Sequence, residues 1–330
     1  MIKTDVLVIG SGISGLSYAI KIAEQLPDTK ITIVTKSNED ESNTKYAQGG
    51  LAVVTDFSKD NFQKHIDDTL RAGDYINDPE IVKMVVEEAP HRFNEIVEWG
   101  AKFDQEKGKY SLGREGGHTE NRIVHHKDIT GFEIERALLE TVRNSPNIEM
   151  LPHHYVIDLI TQHHVPGKEL DKGNIHGYGA YVLDAQNKKI KKITSKITLV
   201  ATGGAGHVYK NTTNPIIATG DGIAFVHRAQ GKVSNMQYYQ FHPTAMYSKR
   251  DGMLFLISEA VRGDGAKLRT KNGKPFMQKY DEREELASRD IVARAIDNEL
   301  KISGDEYVGL DCREMDREKF INHFPNIYQK

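Results

Sequence analysis

The N-terminal segment carries the apolar pattern of a strand, a helix and a second strand. Residues 5–9 form a short β-branched run that ends at glycine, which is typical of a strand buried on both faces. Apolar residues then recur at helical spacing, at Leu16, Ala19, Ile20 and Ala23. Residues 30–34 form the next apolar run. The pattern therefore predicts one βαβ unit at the start of the chain.

Farther along, the period of the apolar positions changes several times. Residues 79–99 show an amphipathic helical pattern in which Pro90 is expected to break or kink the helix. A second helix is predicted over 132–143. Between 148 and 200 the period becomes two, with turn residues at Pro166-Gly167 and Gln186-Asn187, which predicts a small antiparallel meander.

The C-terminal third differs in composition from the rest of the chain. After about Val233 the sequence is richer in aromatic and charged residues, and a helical pattern spans 287–300. Another helix is predicted to begin near Asp221. We expect an α/β protein whose first domain spans 1–233 and whose second domain spans 234–330, as the length of 330 residues also suggests.

Composition narrows the possible partners and the compartment. The 44 Lys and Arg residues nearly balance the 47 Asp and Glu residues, so the net charge of -3 provides no field to attract nucleic acid. Cys312 is the single cysteine, which excludes an internal disulfide and a cysteine-based metal cluster and is typical of a reducing compartment. No apolar run approaches the length of a membrane span or has the form of a signal peptide. We therefore expect a cytoplasmic protein with no nucleic-acid or membrane partner.

A glycine-rich loop joins the first strand to the first helix. Gly10, Gly12 and Gly15 form a GxGxxG pattern in the strand–turn–helix context that makes this pattern informative. The first glycine permits a tight turn, the second lets the backbone approach a pyrophosphate, and the third allows close packing of the helix on the strand. The loop therefore predicts a dinucleotide site at the helix N terminus.

The end of the second strand departs from the NAD-binding pattern. An acidic residue usually binds the ribose there, but Thr35 and Lys36 occupy this position. Thr35 is able to bond a ribose hydroxyl, and Lys36 is either a phosphate ligand or an exposed surface lysine. This departure argues against simple NAD binding.

Four motifs follow the glycine loop in order, at 43–52 (NTKYAQGGLA), 240–244 (QFHPT), 258–265 (SEAVRGDG) and 287–291 (ASRDI). Together they resemble the succinate dehydrogenase/fumarate reductase flavoprotein superfamily. Within that superfamily, residues 114–118 (REGGH), 122–125 (RIVH) and 128–131 (DITG) resemble the L-aspartate oxidase family. The resemblance covers the whole chain.

The resemblance implies a fold and a cofactor. The fold is a Rossmann-like FAD-binding domain with a small antiparallel β-meander and an α+β capping domain. Covalent members carry a flavin-linking histidine where this chain has Asn43, so FAD is expected to bind non-covalently. The residues expected to hold FAD are Gly10, Ser11, Gly12, Ile13, Ser14, Gly15, Lys36, Asn43, Thr44, Lys45, Tyr46, Ala47, Gln48, Gly49, Gly50 and Asp221.

The resemblance also implies a dicarboxylate site built from six side chains. They are Glu115, His242, Thr244, Glu259, Arg262 and Arg289. His242 and Thr244 are expected to bind a carboxylate and Arg289 to transfer a proton, with Glu259 as the candidate acid that receives it. Without the family, an ion pair with Asp290 is the simpler interpretation of Arg289.

Glu115 is the residue expected to separate aspartate from succinate. A carboxylate at this position pairs with the α-ammonium group that aspartate carries and succinate lacks. The alternative is a loop acid paired with its neighbour Arg114.

The resemblance implies oxidation of L-aspartate to iminoaspartate, with O2 or fumarate as electron acceptor, at the start of NAD biosynthesis through quinolinate. A functional link to quinolinate synthase follows from that role. Two alternatives remain, a soluble fumarate reductase or succinate dehydrogenase type of flavoprotein and a truncated, non-catalytic FAD-binding fragment. The sequence ends at Lys330, where family members continue, so a weakened FAD site and little turnover are expected of this chain alone.

Overall fold

The structure is a computed structural model that describes residues 1–164, 175–249 and 252–330. The strands are Ile2–Lys3 (β1), Val6–Ile9 (β2), Ile31–Val34 (β3), Leu51–Ala52 (β4), Gln105–Glu106 (β5), Lys109–Tyr110 (β6), Leu112–Gly113 (β7), Ile123–Val124 (β8), Ile148–Leu151 (β9), His154–Thr161 (β10), Gly177–Asp184 (β11), Lys189–Thr194 (β12), Ile197–Val200 (β13), Asn211–Thr212 (β14), Gly252–Met253 (β15), Lys267–Arg269 (β16) and Gly309–Asp311 (β17). The α-helices are Ile13–Gln25 (α1), Phe62–Ala72 (α2), Pro79–Glu98 (α3), Thr130–Arg143 (α4), Asp221–Arg228 (α5), Ala260–Gly263 (α6), Arg289–Ser303 (α7), Arg317–His323 (α8) and Pro325–Gln329 (α9).

A parallel sheet forms the centre of the N-terminal part, with strand order β13-β2-β3-β9. Successive side chains of a strand point to opposite faces, so one apolar strand can serve two cores. Val6 and Val8 of β2 pack with α1 and α4, whereas Leu7 and Ile9 pack against a second sheet. The result is a layer of helices, the parallel sheet and a second sheet, and the predicted βαβ unit of β2, α1 and β3 is confirmed.

The second sheet has the strand order β1-β12-β11-β10, in which β10, β11 and β12 are antiparallel neighbours. The predicted meander is confirmed for these three strands. The first and last runs of the 148–200 region belong to the parallel sheet instead, because β9 pairs with β3 and β13 pairs with β2. The expected turn at Gln186-Asn187 joins β11 to β12, and the one at Pro166-Gly167 lies outside the described residues.

Helix α3 runs without interruption from Pro79 to Glu98, with Pro90 in its interior. The helix is therefore not broken at Pro90, and that part of the expectation was wrong, while the kink named as the alternative stays a prediction. The turns on either side are held by packing, since Val86 is buried against α2 and Phe93 is buried in the core beneath α1 and α4. Tertiary packing thus offsets the hydrogen bond that proline removes.

The residues after 234 form two further apolar clusters. Leu268, Phe276 and Val292 centre one cluster, which packs α7 on the antiparallel pair β16–β17. Val261 and Phe324 centre the other, beneath α8 and α9. Both clusters draw on residues of the 234–330 segment, and the predicted boundary at 233 stays a prediction.

Candidate functional site

The glycine loop lies where β2 ends and α1 begins, and two of its glycines are needed by the protein itself. Gly10 has φ of 114°, and a Cβ there would lie 2.1 Å from the carbonyl oxygen of Ala201. A Cβ on Gly15 would lie 2.1 Å from the carbonyl oxygen of Gly10. Any side chain at these two positions would collide with backbone, so both glycines are explained by packing of α1 on the sheet.

Gly12 is different, because none of the described residues approaches it closely enough to require a glycine. The atom nearest to a Cβ built there is the Thr44 hydroxyl oxygen at 3.5 Å, an ordinary contact distance. Gly12 is the N-cap of α1 and has no side chain of its own to cap the helix, while the Thr44 hydroxyl accepts from the backbone N–H of Ile13 at 3.0 Å. The loop therefore offers open space and backbone N–H donors, which fits the pyrophosphate of a dinucleotide such as FAD.

An open cavity of about 810 Å³ extends from this loop over the carboxyl ends of the parallel strands. Nine of the sixteen predicted cofactor residues line it: Gly10, Ser11, Gly12, Ile13, Ser14, Lys36, Asn43, Thr44 and Asp221. The carboxyl edge of a doubly wound sheet is the usual place for such a ligand. The cavity is thus large enough and correctly placed for a dinucleotide.

Lys36 is neither exposed nor free to act as a lone phosphate ligand. It forms an ion pair with Asp221 and donates to the Thr219 hydroxyl at 2.7 Å. Burial opposes the charge on Asp221, yet the contacts with Lys36 and Thr219 hold its pKa below the ordinary value. Beside this pair, the Ser11 hydroxyl donates to Thr35 at 3.0 Å in a buried position.

The remaining predicted cofactor residues lie outside the large cavity. Lys45 pairs with Asp40 at 2.6 Å, and the Tyr46 hydroxyl contacts Glu41 at 3.0 Å. Gln48 and Gly49 line a small cleft that also contains Glu115. The segment from Ser42 to Gly50 thus reaches from the large cavity toward the predicted substrate residues.

Arg289 is the centre of the charged cluster that the motifs predicted. At the start of α7, it pairs with Glu259 through Nε, and its Nη2 donates to Oε2 of Glu115 at 3.2 Å. Its Nη1 donates to Oε1 of Gln240 at 3.2 Å. Burial opposes the charge on Arg289, but the two carboxylates raise its pKa above the ordinary value. Asp290, the simpler partner considered for Arg289, instead bonds to Ser288 and Arg294.

Glu115 lies between the charged cluster and the cofactor segment. A Cβ on Gly49 would be 2.6 Å from Oε1 of Glu115, so glycine makes room for the carboxylate. Burial, and then the nearby charge of Glu259, raise the pKa of Glu115, while Arg289 opposes this rise. Arg114, the alternative partner of Glu115, donates instead to the carbonyl of His118 at 3.0 Å.

Glu259 and Arg262 lie deeper than Arg289. Both are almost fully buried, and Oε1 of Glu259 lies 3.6 Å from Nη2 of Arg262, beyond hydrogen-bonding distance. The Nη1 of Arg262 donates to the carbonyl of Glu285 at 2.7 Å, whereas its Nε and Nη2 have no hydrogen-bond partner among the described residues. Burial lowers the pKa of Arg262. Glu259 therefore lies between two guanidinium groups, with one oxygen on each side.

His242 and Thr244 share a short turn at the edge of the cluster. Nδ1 of His242 lies 2.9 Å from the carbonyl oxygen of Thr244, so that carbonyl accepts a hydrogen bond when the tautomer carries its proton on Nδ1. The Thr244 hydroxyl donates to the carbonyl of Ile257 at 2.8 Å. Burial, followed by the charge of Arg289, lowers the pKa of His242 to about 4. The imidazole is thus neutral near pH 7, and its Nε2 is an acceptor in the tautomer that carries the proton on Nδ1 and a donor in the tautomer whose Nδ1 accepts from the Thr244 backbone N–H at 3.3 Å.

A buried ion network behind Glu115 was absent from the predicted site. Arg122 is 1% exposed and donates to both oxygens of Asp60, while its Nη1 donates to Asp68 at 2.6 Å. The same Asp68 carboxylate accepts from the backbone and hydroxyl of Thr119, and Nη1 of Arg122 lies 3.1 Å from Nδ1 of His118. The network fastens the loop that carries Glu115 to helix α2.

In the sequence, His118 and Arg122 were recognisable only as members of the motifs at 114–118 and 122–125. No local sequence pattern indicated the network, because the acids that pair with Arg122, Asp60 and Asp68, lie more than fifty residues away from it. His125, the last residue of the 122–125 motif, is 8% exposed, and its Nδ1 lies 3.1 Å from Asp104. Among the described residues, no group of three or more acidic, histidine or cysteine side chains is arranged to hold a metal ion.

Taken together, the βαβ unit, the open Gly12 position and the charged cluster beside the 42–50 segment are typical of a dinucleotide-binding α/β protein. A model of the FAD binding domain family matches residues 5–330, and the chain belongs to this family. FAD is therefore the cofactor that fits the large cavity. The motifs place the chain in the succinate dehydrogenase/fumarate reductase flavoprotein superfamily, as the sequence predicted.

Curated relatives and solved structures agree with this assignment. The chloroplastic L-aspartate oxidase of Oryza sativa subsp. japonica is 48% identical over 98% of this chain and 50% of the relative. The L-aspartate oxidase of Vibrio cholerae is 41% identical over 99% of this chain and 61% of the relative. The chain thus spans about half the length of the curated relatives that it matches.

Solved structures of the superfamily share the fold. The FrdA chain of E. coli quinol fumarate reductase has a TM-score of 0.88 and 28% identity over 99% of this chain and 57% of that chain. Sdh1 of Mycobacterium smegmatis, solved in complex with UQ1, has a TM-score of 0.74 and 32% identity over 99% and 55%. In the described part of this chain, every helix is too short or too polar to cross a bilayer.

Proposed function

We propose that this chain supplies the cofactor cleft and the substrate cluster of an FAD-dependent L-aspartate oxidase, which converts L-aspartate to iminoaspartate. The observation that carries the proposal is the contact of Glu115 with Arg289 beside Gly49. This contact joins a carboxylate able to accept an ammonium group to a cation able to hold a carboxylate. Relatives named L-aspartate oxidase, at 41% to 48% identity, support the same function.

The charged cluster provides for both ends of an amino dicarboxylate. Arg289 contacts Glu115, which lies beside Gly49 of the cofactor segment, and neutral His242 supplies a hydrogen-bonding group close to Arg289. Glu115 supplies the counter-charge for the α-ammonium group. Because Glu115 and Arg289 already pair with each other, a substrate that carries both charges replaces one ion pair by two.

The pair of Arg289 and Glu259 also supplies a path for a proton. Arginine holds its proton across the physiological range, so it serves as a base only when a neighbouring acid takes that proton as it gains another. Glu259 is in direct contact with Arg289, and its second oxygen faces Arg262. A proton that leaves the substrate at Arg289 therefore passes to Glu259. FAD, when bound, would supply the acceptor for the hydride, which carries both electrons of the oxidation.

The bond to FAD is expected to be non-covalent, because Asn43 lacks the ring nitrogen that links the flavin in covalent members. Asn43 lines the large cavity. Acid precipitation of the holoprotein should release all of its flavin into the supernatant. Flavin that stays with the pellet would contradict this expectation.

The electrons would leave the site to O2, which becomes hydrogen peroxide, or to fumarate, which becomes succinate. The product iminoaspartate then enters NAD biosynthesis toward quinolinate, with quinolinate synthase as the functional partner. We infer a cytoplasmic location for this chain, although several plant relatives are named chloroplastic.

The deciding experiment is an anaerobic titration of the FAD-loaded protein with L-aspartate, succinate and reduced nicotinamide in turn, with the flavin absorbance recorded. Bleaching by L-aspartate, without bleaching by the other two, is the expected result. Since bleaching needs one reduction only, the outcome does not depend on fast turnover. A protein reduced by none of the three would contradict the proposal and favour a non-catalytic FAD-binding fragment.

A fumarate reductase or succinate dehydrogenase type of flavoprotein is the second candidate, favoured by the fold match to the FrdA chain at a TM-score of 0.88. It predicts bleaching by succinate instead of L-aspartate. It also predicts that Glu115 has no role in substrate choice, because succinate carries no ammonium group.

A further inference from the structure

Glu135, in α4, carries a buried carboxyl group that the substrate chemistry does not use. The residue is 2% exposed, and neither Oε1 nor Oε2 has a hydrogen-bond partner among the described residues. The other acids of this helix are paired: Glu133 accepts from the Lys102 backbone and from Arg136, and Glu140 pairs with Arg136. A buried carboxylate without a partner is costly, so the neutral form of Glu135 is the one that this site favours.

The position of Glu135 connects it to the cofactor segment. Gly131 lies one helical turn earlier on the same face of α4. Its N–H donates to the carbonyl of Ala47 at 2.9 Å, and a Cβ there would lie 1.9 Å from the carbonyl oxygen of Thr44. This face of α4 therefore touches the segment from Ser42 to Ala47 directly, and the hydroxyl of Ser42 faces the Glu135 carboxyl group.

Two hydrogen bonds lead from Ser42 to the first turn of α1. The Ser42 hydroxyl oxygen accepts from the backbone N–H of Thr44 at 3.0 Å. The Thr44 hydroxyl oxygen accepts from the backbone N–H of Ile13 at 3.0 Å. Ser42, Thr44 and Ile13 all line the large cofactor cavity. Ser42 and Thr44 therefore connect Glu135 to the N terminus of α1, where the pyrophosphate is expected to bind.

The charges around Glu135 come from the loop before the cofactor segment and from α4. Asp40 and Glu41 face it from the loop, as does Lys45, which is paired with Asp40. Around the mouth of a neighbouring cavity of about 670 Å³ lie Glu39, Arg136, Arg143 and His153. Burial, the largest effect, and the negative charges of Asp40 and Glu41 raise the pKa of Glu135. The Ser42 hydroxyl and the charge of Lys45 lower it by less, so the pKa is raised to about 7.

We propose that Glu135 is a positioning residue for FAD: its neutral carboxyl group lies against the Ser42 hydroxyl without adding charge and so lets the 42–47 segment pack against the first turn of α1. Ionisation of Glu135 places a negative charge close to the site where the pyrophosphate of FAD brings two further negative charges. Binding of FAD and ionisation of Glu135 therefore oppose each other, and each weakens the other by the same factor. The inference rests on the FAD cofactor and not on the identity of the substrate.

The test is the dissociation constant of FAD, measured by quenching of flavin fluorescence on titration of the apoprotein, from about pH 6 to about pH 9. For the native chain we expect the constant to rise above about pH 7, by up to about tenfold per pH unit. Glu135→Gln keeps the size of the side chain without the charge, so its constant should stay at the low-pH value throughout. The matched control Glu140→Gln, an exposed acid of the same helix, should retain the native pH profile.

A second measurement uses the apoprotein alone. The pKa of Glu135 lies above the ordinary value of 4.5, so its stabilising contribution is complete below pH 4.5 and is lost as the pH rises toward about 7. Thermal melting of Glu135→Gln should match the native chain near pH 4.5 and exceed it above pH 7. If the glutamine variant fails to fold, Glu135→Met removes the same charge and should also abolish the pH dependence.

A native chain whose FAD affinity is constant across this range would overturn the proposal. The same holds if Glu135→Gln and Glu140→Gln both keep the native profile, because the titrating group would then lie elsewhere. A role of Glu135 in packing alone would change the melting temperature equally at every pH and leave the profile of FAD affinity unchanged.

Discussion

Glu115 and Arg289 lie 174 positions apart in the chain, yet Oε2 of Glu115 accepts a hydrogen bond from Nη2 of Arg289 at 3.2 Å. The contact joins the loop after β7 to the start of α7, and it occurs where Gly49 leaves room for the carboxylate. Two residues predicted for separate tasks, recognition of an ammonium group and proton transfer, are thus electrostatically coupled. A change at either residue alters the charge that the other experiences.

Glu115→Gln tests the ammonium-pairing role. The amide keeps the size of the side chain but removes its charge, so the affinity for L-aspartate should fall by about tenfold to a hundredfold, while that for succinate stays or improves. Anaerobic flavin bleaching by each substrate measures both. If the variant bleaches with L-aspartate as the native chain does, Glu115 does not pair with the ammonium group.

Gly12→Ala and Gly15→Ala form a matched pair that separates ligand binding from folding. A methyl group at Gly12 meets no protein atom closer than 3.5 Å, so apoprotein stability should be preserved. It occupies space at the pyrophosphate site, so FAD affinity should fall by about tenfold or more. A methyl group at Gly15 lies 2.1 Å from the Gly10 carbonyl and should cost about 1–3 kcal/mol of stability. FAD titration and apoprotein melting measure the two effects, and unchanged FAD binding by Gly12→Ala would contradict the cavity assignment.

Arg122→Met tests the buried ion network. The substitution leaves Asp60 and Asp68 buried without their cation, so the free energy of unfolding should fall by about 3–5 kcal/mol. Denaturant titration measures the loss. Arg294→Met, which breaks an exposed pair with Asp290 in α7, should cost less than about 1 kcal/mol. Equal losses in the two variants would show that burial does not increase the contribution of the ion network to the free energy of unfolding.

The pH dependence of stability should reflect two buried histidines. Burial lowers the pKa of His118 to about 4, with further lowering by Arg122, and the pKa of His242 is also about 4. The unfolded chain takes up protons at these residues near pH 6.5, whereas the folded chain does not until about pH 4. Stability should therefore decline as the pH falls from 6.5 to 4.

The double variant His118→Gln, His242→Gln should show a shallower decline over that interval, as measured by thermal melting. Aromatic packing is lost as well, but that loss is the same at each pH. A slope equal to that of the native chain would mean that other groups account for the acid sensitivity.

Local features of the fold were predictable from the sequence, because short-range patterns determine them. The unit of β2, α1 and β3 follows from apolar runs and from glycines that no other residue can replace at Gly10 and Gly15. The continuity of α3 through Pro90 was not predictable, since it depends on burial of Val86 and Phe93 by other elements.

The candidate site shows the same division. Motifs identified Glu115, Glu259 and Arg289, but not which acid each cation contacts. Asp290 follows Arg289 directly along α7, and successive side chains of a helix point in different directions, so adjacency in sequence was misleading. Glu135 lies in no quoted motif, because its importance comes from burial beside Ser42 and not from its neighbours in the chain.

The central sheet also determines when the cofactor cleft comes into being during synthesis. Strand β2 is completed on one side by β3, close in sequence, but on the other side by Ile197–Val200. The turn at Gly10 packs on the carbonyl of Ala201, which directly follows that strand. Pairing over such a separation slows folding. The residues of the glycine loop therefore leave the ribosome early in synthesis. The nascent chain should nevertheless acquire affinity for FAD only after residue 201 has left the ribosome.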